Sequence, residues 1–221
     1  MEGGEWMQKI VAFVPIRLNS KRIKNKSIIN IAGRPMFCRS LETLDKLGIP
    51  VHVYSNDNII LKNMIDFDSK NIIFTNRAKH LDSDDVKGID IYKEFAKEIE
   101  SEIYLLCHCT SPFVKLSTYK KCIKSVISGN NSSVTVKREQ TFSWLNGKMI
   151  NFSLPRQKTQ DIVPVFIETS AAYCYKKEVL DKDSRTCQNP FFVETSGMEI
   201  IDIDNESDLD FIRYFEKGKK R

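Results

Sequence analysis

The sequence predicts an α/β fold: a Rossmann-like, mostly parallel sheet with helices on both faces and a small hairpin-like arm. Short apolar runs of strand length alternate with stretches whose apolar residues repeat at helical spacing, and a β-α-β-α order of this kind places parallel strands under helices. The alternation stops after about residue 138, where an Asn-Gly dipeptide between two short runs signals a hairpin. No repeat and no low-complexity linker interrupts the chain, so residues 1–221 read as one domain.

The elements follow in order. KIVAFVPI (9–16) is a buried-strand run that ends in a polar, basic loop. Residues 36–47 place Met36, Phe37, Ser40, Leu41, Leu44 and Leu47 on one helical face, with Gly48 as the stop. VHVYSND is the second strand, a helix follows around 58–65, and NIIFTN is the third strand. A helix over 86–99 carries Ile89, Tyr92, Phe95, Ala96 and Ile99 on one face. The strand IYLLCHC, a helix at 116–127 and the strand SSVTV come next. TFSWLNGKMINF reads as the hairpin, SAAYCY and EIIDID as short strands, and 206–217 as a last helix whose Glu206 and Asp208 suit the positive end of its dipole.

Hydrophobic residues make up 41% and charged residues 29%, a globular balance, and no apolar run reaches the roughly 18 residues that a membrane span needs. The opening MEGGEWMQKI lacks a basic n-region and an apolar h-region, so it is no signal peptide, and residues 1–8 read as a leader with Met7 an equally good start. The expected location is cytoplasmic, which fits six cysteines held as reduced thiols. Cys107-His108-Cys109 has a zinc reading and a strand-core reading; the strand pattern of IYLLCHC favours the second. A net charge of +5 without a basic stripe interleaved with aromatics excludes nucleic acid as the expected partner and leaves room for an anionic small molecule.

Arg17, Lys21, Arg22, Lys24 and Lys26 crowd into the loop directly after the first strand. Ligands of open α/β sheets bind beyond the carboxyl ends of strands, and charge-assisted bonds to phosphate are strong, so this loop is either a phosphate grip or a solvated basic loop. It matches neither G-x-x-x-x-G-K-[ST] nor G-x-G-x-x-G, which leaves P-loop and dinucleotide readings weak.

The segment VPIRLNSKRIKNKSIINIAGRPM resembles the opening motif of the CMP-sugar synthetases, the acylneuraminate cytidylyltransferase family: Pro15, Arg17, Ser20, Lys21, Lys26, Gly33 and Pro35 match, whereas Ile16 and Ser27 depart from it. YSNDN, NRAKHLDSDD, LLCHCTSPFVK, the stretch LPRQKTQDIVPVFIETSAAYCY and EIIDIDNESDLDF resemble the family's later blocks in the family's order. The resemblance implies transfer of CMP from CTP to an acidic 2-keto-3-deoxy sugar of nine or eight carbons, in the setting of capsule or lipopolysaccharide synthesis. By the same resemblance Arg17, Ser20, Lys21, Lys26, Ser27, Arg77, Asp84, His108 and Thr110 contact the nucleotide, His108 standing where many relatives have Gln. His108 alternatively is a strand histidine with its bonds satisfied. Arg156, Gln157, Glu168, Thr169, Ser170 and Tyr173 are implied on the sugar side, with Ala171 in place of the family's Gly. Residues 139–155 and 185–195 correspond to the family's dimerisation arm, which implies a homodimer, and Phe142, Trp144, Phe152, Phe191 and Phe192 suit burial against a second subunit.

Asp202 and Asp204 are spaced i, i+2, which in a strand puts both carboxylates on one face, and hard oxygen donors so placed suit Mg²⁺ together with phosphate oxygens. Catalysis is expected from Lys21 and Arg17, which counter charge on the transferred group, and from Asp202 through the metal. No lone general base stands out. A D-x-D pair alone also fits glycosyltransferases, and the departures at Ser27, His108, Val114 and Ala171 leave a nucleotide-binding homologue without turnover as a rival.

Overall fold

In the computed structural model, residues 9–20, 22–31 and 33–218 are described. The expectations placed on residues 1–8 and on Lys21 lie outside them. Seven strands form the main sheet: β1 (Ile10–Pro15), β4 (Val51–Ser55), β5 (Ile72–Asn76), β6 (Ile103–Cys107), β7 (Ser132–Glu139), β10 (Val165–Lys176) and β11 (Phe191–Thr195). Their order is β11-β7-β10-β6-β1-β4-β5, with every pairing parallel except those of β10. Two small ribbons stand apart, β2 (Asn30–Ile31) with β3 (Arg34–Pro35) and β8 (Trp144–Leu145) with β9 (Lys148–Met149).

The strand period of two sorts the central side chains into two cores. Ile10, Ala12 and Val14 of β1 and Ile103, Leu105 and Cys107 of β6 face one layer, which contains Phe37 and Leu41 of helix α1 (Met36–Asp45) and Tyr119, Cys122 and Val126 of α4 (Leu116–Ile127). Val11, Phe13, Tyr104 and Leu106 face the other, with Tyr92, Phe95 and Ala96 of α3 (Gly88–Glu98). Phe95 stacks on Phe13 at 4.2 Å between ring centres, and Tyr54 and Tyr104 meet it edge-on. Cys107 and Cys109 both lie in the first core, so the strand-core reading of the Cys-His-Cys triplet holds.

Four expectations need correction. Helix α2 is shorter than 58–65, covering Asn58–Lys62. The strand expected around SAAYCY extends over twelve residues and carries a bulge between Glu168 and Tyr173. Residues 191–195, read with the arm, are the edge strand of the main sheet, where Val193 and Thr195 turn inward. EIIDID is not a sheet strand: a 3-10 turn covers Gly197–Ile200, and the extended stretch beyond it pairs through Ile203 N–H to the Thr110 carbonyl at 2.8 Å. Helix α5 (Glu206–Gly218) follows. No helix among the described residues is long and apolar enough to cross a membrane.

From β1 the chain builds β4 and β5 on one side, then crosses back to place β6 on the other. The loops after β1 and β6 therefore diverge, and that divergence opens the crevice where ligands of such sheets bind.

Candidate active site

A cleft of roughly 390 Å³ occupies this crevice, lined by Pro15, Arg17, Ser20, Arg22, Lys26, Ser27, His108, Cys109 and Thr110. The loop after β1 is shaped by Asn25, whose φ of 55° is left-handed, a conformation that Asn tolerates better than most side chains. The turn feeds a 3-10 segment, Lys26–Ile28, that buries Lys26 and Ser27. The Lys26 ammonium, on a residue only 8% exposed, donates to Asp204 Oδ1 at 2.8 Å, and Arg22 donates to Asp204 Oδ2 at 2.7 Å. Arg17 reaches the Asp82 carbonyl at 3.4 Å and the Asp84 carboxylate at 3.7 Å.

The acidic wall is set by local sequence. Asn205 and Asp208 form a reciprocal cap at the start of α5, with Asp208 N–H donating to Asn205 Oδ1 and both Asn205 N–H and Asp204 N–H donating to Asp208 Oδ2. Ile203 is fully buried, whereas Asp202 and Asp204 on either side of it are partly exposed. Burial resists ionisation of Asp204, but Lys26 and Arg22 outweigh it and hold its carboxyl below the usual value. Asp202 Oδ1 is buried with no hydrogen-bond partner among the described residues. An orphaned carboxylate oxygen beside a second carboxylate fits a hard cation, and Mg²⁺ completes its shell with phosphate oxygens and water.

His108 forms the back of the cleft with both ring nitrogens engaged. Nδ1 lies 2.5 Å from the Ser170 carbonyl and so must donate; Nε2, 3.2 Å from the Tyr92 hydroxyl, then accepts. Burial pushes its pKa down, with the charges of Arg185 and Lys26 acting in the same direction, so the ring is neutral. Neither nitrogen is free to act as a base. Ser170 can present its carbonyl because it sits in the bulge of β10 with φ 56°. Glu168 accepts from the Tyr173 hydroxyl at 2.8 Å, and Arg185 donates to the same hydroxyl at 2.7 Å.

The structure thus gathers Arg17, Ser20, Lys26, Ser27, His108 and Thr110 at one cleft, holds Asp204 against its Arg22 and Lys26 and Asp202 near enough for its charge to act on His108 and Cys109, and sets Glu168, Ser170 and Tyr173 behind His108. It does not bring the remaining expected residues there. Asp84 borders a neighbouring depression with Ser20. Arg77 is buried, bonded to the Asp82 carboxylate and to the Tyr54 carbonyl, and does not line the cleft. Thr169 faces the core and donates to Thr135. Arg156 lies over the Phe142 and Phe152 rings and Gln157 bonds Ser153, both on the exposed arm. Two residues were missed. Tyr92 reads only as a helix core position, and Arg185 only as the first residue of the arm segment 185–195. A larger depression, about 730 Å³, lies at the opposite strand ends, but its Lys9 and Lys177 are paired with Glu102 and Glu100.

Residues 11–178, three-quarters of the chain and running from the second residue of β1 past the end of β10, match the model of a family described as cytidylyltransferase. The chain belongs to the cytidylyltransferase family. This cytidylyltransferase is 25% identical over 218 residues to a Helicobacter pylori protein named pseudaminic acid cytidylyltransferase and UDP-2,4-diacetamido-2,4,6-trideoxy-beta-L-altropyranose hydrolase. The alignment takes in 88% of the chain but only 40% of that longer relative. In fold it resembles CMP:2-keto-3-deoxy-manno-octonic acid synthetase solved with CTP, at a TM-score of 0.66, 17% identity and coverage of 96% of this chain and 99% of the other. It also resembles 4-diphosphocytidyl-2C-methyl-D-erythritol synthase of Anaerococcus prevotii, at a TM-score of 0.67, 14% identity and coverage of 94% and 96%. The mostly parallel, helix-flanked sheet of the cytidylyltransferase is therefore a shared scaffold.

Proposed function

We propose that this cytidylyltransferase joins the CMP part of CTP to the anomeric hydroxyl of an acidic 2-keto-3-deoxy sugar and releases pyrophosphate. The observation that carries the reading is the cleft itself, where Arg17, Arg22 and Lys26 gather and the Asp204 carboxylate bonds both Arg22 and Lys26. Cations so placed neutralise a triphosphate. The H. pylori relative, named for an acidic-sugar cytidylyltransferase, supports the choice of acceptor.

In the reaction the anomeric oxygen forms a bond to the α-phosphorus and gives up its proton to solvent water, the bond from that phosphorus to the bridging oxygen breaks, and pyrophosphate leaves with the electron pair. Arg17, Arg22 and Lys26 orient the phosphates and offset the charge that gathers on the leaving group. Asp202 and Asp204 would hold Mg²⁺, which supplies Lewis-acid polarisation of the phosphate. Lys21, outside the described residues, belongs to the same loop and is assigned to the same task.

The enzyme is also proposed to act as a homodimer. The hairpin β8–β9, turned by Asn146 (φ 49°) and Gly147 (φ 75°), projects with exposed Trp144 and Leu145, while Phe166 and Phe192 pack together on the open edge of the sheet.

The test is pyrophosphate release from CTP and Mg²⁺ with N-acetylneuraminate, legionaminate, pseudaminate and 3-deoxy-manno-octulosonate, beside Lys21→Ala and Asp202→Ala. CTP-selective release with one sugar, lost in both variants, is the expected result. Silence across the panel while CTP still binds points to nucleotide binding without turnover, and absence of CTP binding overturns the reading of the first loop.

A further inference from the structure

We propose that Arg185 anchors the carboxylate of the acidic sugar and so selects acidic acceptors; this rests on the reaction proposed above. Arg185 stands in the loop between Asp183 and β11, and its guanidinium carbon lies 3.9 Å from the centre of the Tyr173 ring. Nη2 donates to the Tyr173 hydroxyl at 2.7 Å, which in turn donates to Glu168 Oε2. A flat guanidinium fixed over a ring keeps its fork of N–H donors in one orientation, which is the form that grips a carboxylate through two parallel bonds.

Its charge is incompletely answered. The nearest carboxylate, Glu168, lies 3.9 Å away and is half exposed, too loose a pair to use the donor fork, and a third of the Arg185 side chain remains open. Its neighbours connect this cation to His108, which lines the cleft. Tyr173 meets His108 edge-on at 6.1 Å, and Tyr92 bonds His108 Nε2, so Arg185 reaches His108 through two phenols. Arg17, Arg22 and Lys26 instead line the cleft onto which His108 opens. Two separate cationic sites, with a neutral imidazole between them, match a reaction that brings a triphosphate and a carboxylate together. The bulge that presents Glu168 and Ser170 beside Arg185 offers hydrogen-bonding groups for sugar hydroxyls.

Arg185→Met and Arg185→Lys are compared with the wild type in steady-state pyrophosphate release, using the panel sugar that is turned over and its methyl ester, with CTP titration as the fold control. Loss of a charge-assisted bidentate bond predicts a sugar KM raised about tenfold to hundredfold in Arg185→Met, and a smaller rise in Arg185→Lys. CTP binding stays within about twofold because the phosphate cations are untouched. The preference of the wild type for the acid over the ester disappears in Arg185→Met and persists, weakened, in Arg185→Lys. An unchanged sugar KM, an acid-over-ester preference retained in Arg185→Met, or equal losses for CTP and sugar overturn the assignment of Arg185 alone. If Arg185→Met does not fold, an Arg185→Lys variant with the full wild-type KM and acid preference overturns it equally. Silence of the wild type with every sugar overturns the reaction and this assignment together.

Discussion

Lys26 Nζ and Asp204 Oδ1 meet at 2.8 Å across 178 residues of sequence, and this bond joins the basic loop after β1 to the acidic segment ahead of the last helix. Arg22 closes on the other oxygen of the same carboxylate. The carboxylate proposed for metal thus answers one of the two positive charges proposed for phosphate. CTP and Mg²⁺ would each take one partner of this pair, so the binding of one frees the group that the other needs.

That exchange makes Asp204→Asn informative. Lys26 and Arg22 lose their competitor, so CTP in EDTA is expected to bind about threefold to tenfold more tightly than to wild type, a change of order 1 kcal/mol suited to a partly exposed pair. Added Mg²⁺ is expected to strengthen CTP binding to wild type and to leave the variant unchanged, while kcat falls about a hundredfold or more. Calorimetric titration of CTP with and without Mg²⁺ checks both. Equal Mg²⁺ enhancement in the two proteins rules out Asp204 as a metal ligand.

His108→Gln separates folding from pH. Burial first, then Arg185 and Lys26, lower the His108 pKa below 6.5, so the folded ring stays neutral where the unfolded one takes up a proton. The sign follows: this contribution to stability is complete above pH 6.5 and is lost as pH falls toward the folded value. His52, lowered by burial, acts in the same window. Glutamine can donate to Ser170 and accept from Tyr92 as the histidine does, while removing the titration. Between pH 6.5 and 5 the variant is expected to lose stability less steeply, by up to about 1.4 kcal/mol per pH unit. Urea midpoints across that range provide the check. Superimposable pH profiles rule the assignment out.

The alternating sheet was legible because its strands are buried on both faces and its helices carry one apolar face, signals that rest on residues such as Phe13, Leu105 and Phe95 alone. The basic loop and the two aspartates were legible as chemistry, since charge and spacing persist in one dimension. The burial of Arg77 was not, because its fate depends on Asp82 and on the carbonyl of Tyr54, both brought to it by folding. EIIDID alternates like a strand, yet the sheet edge is filled by Phe191–Thr195 and the Ile203 amide is taken by Thr110. Arg185 and Tyr92 acquire meaning only through His108, to which no sequence pattern links them.

Glu199 supports the loop that carries Thr110. Its buried carboxylate accepts from Lys115 N–H at 3.0 Å and Thr118 Oγ1 at 2.6 Å, closing the first turn of α4 from 84 positions away, and pairs with the Lys115 ammonium at 3.1 Å. Burial resists its ionisation, but these donors prevail and hold its pKa below 4.5. Glu199→Ala leaves the Thr118 hydroxyl and the Lys115 amide without their acceptor, a loss of about 2–4 kcal/mol. For a chain of this size the melting temperature is expected to fall by about 5–15 °C, with Glu199→Gln losing less because it keeps one acceptor. A calorimetric scan decides. An Ala variant that melts with the wild type removes Glu199 from the helix cap.

The edge of the sheet supplies the last prediction. Phe191 and Phe192 are exposed on β11, Phe166 and Ile167 on β10, and Trp144 and Leu145 on the hairpin. Bulky apolar groups gathered on one side of a folded chain mark an association surface. A second copy of the chain is expected to cover Phe166 and Phe192, whose rings already pack together, in the homodimer proposed above. Phe192→Glu places a charge beside Phe166, whose ring lies 5.1 Å from that of Phe192, and burying an unpaired charge is costly. Sedimentation equilibrium is expected to show a dimer for wild type and a weakening of about a hundredfold or more in this variant. The variant should keep its melting behaviour at low concentration if the subunit folds alone. A wild-type monomer at all concentrations, or a dimer indifferent to the substitution, rejects this face as the interface.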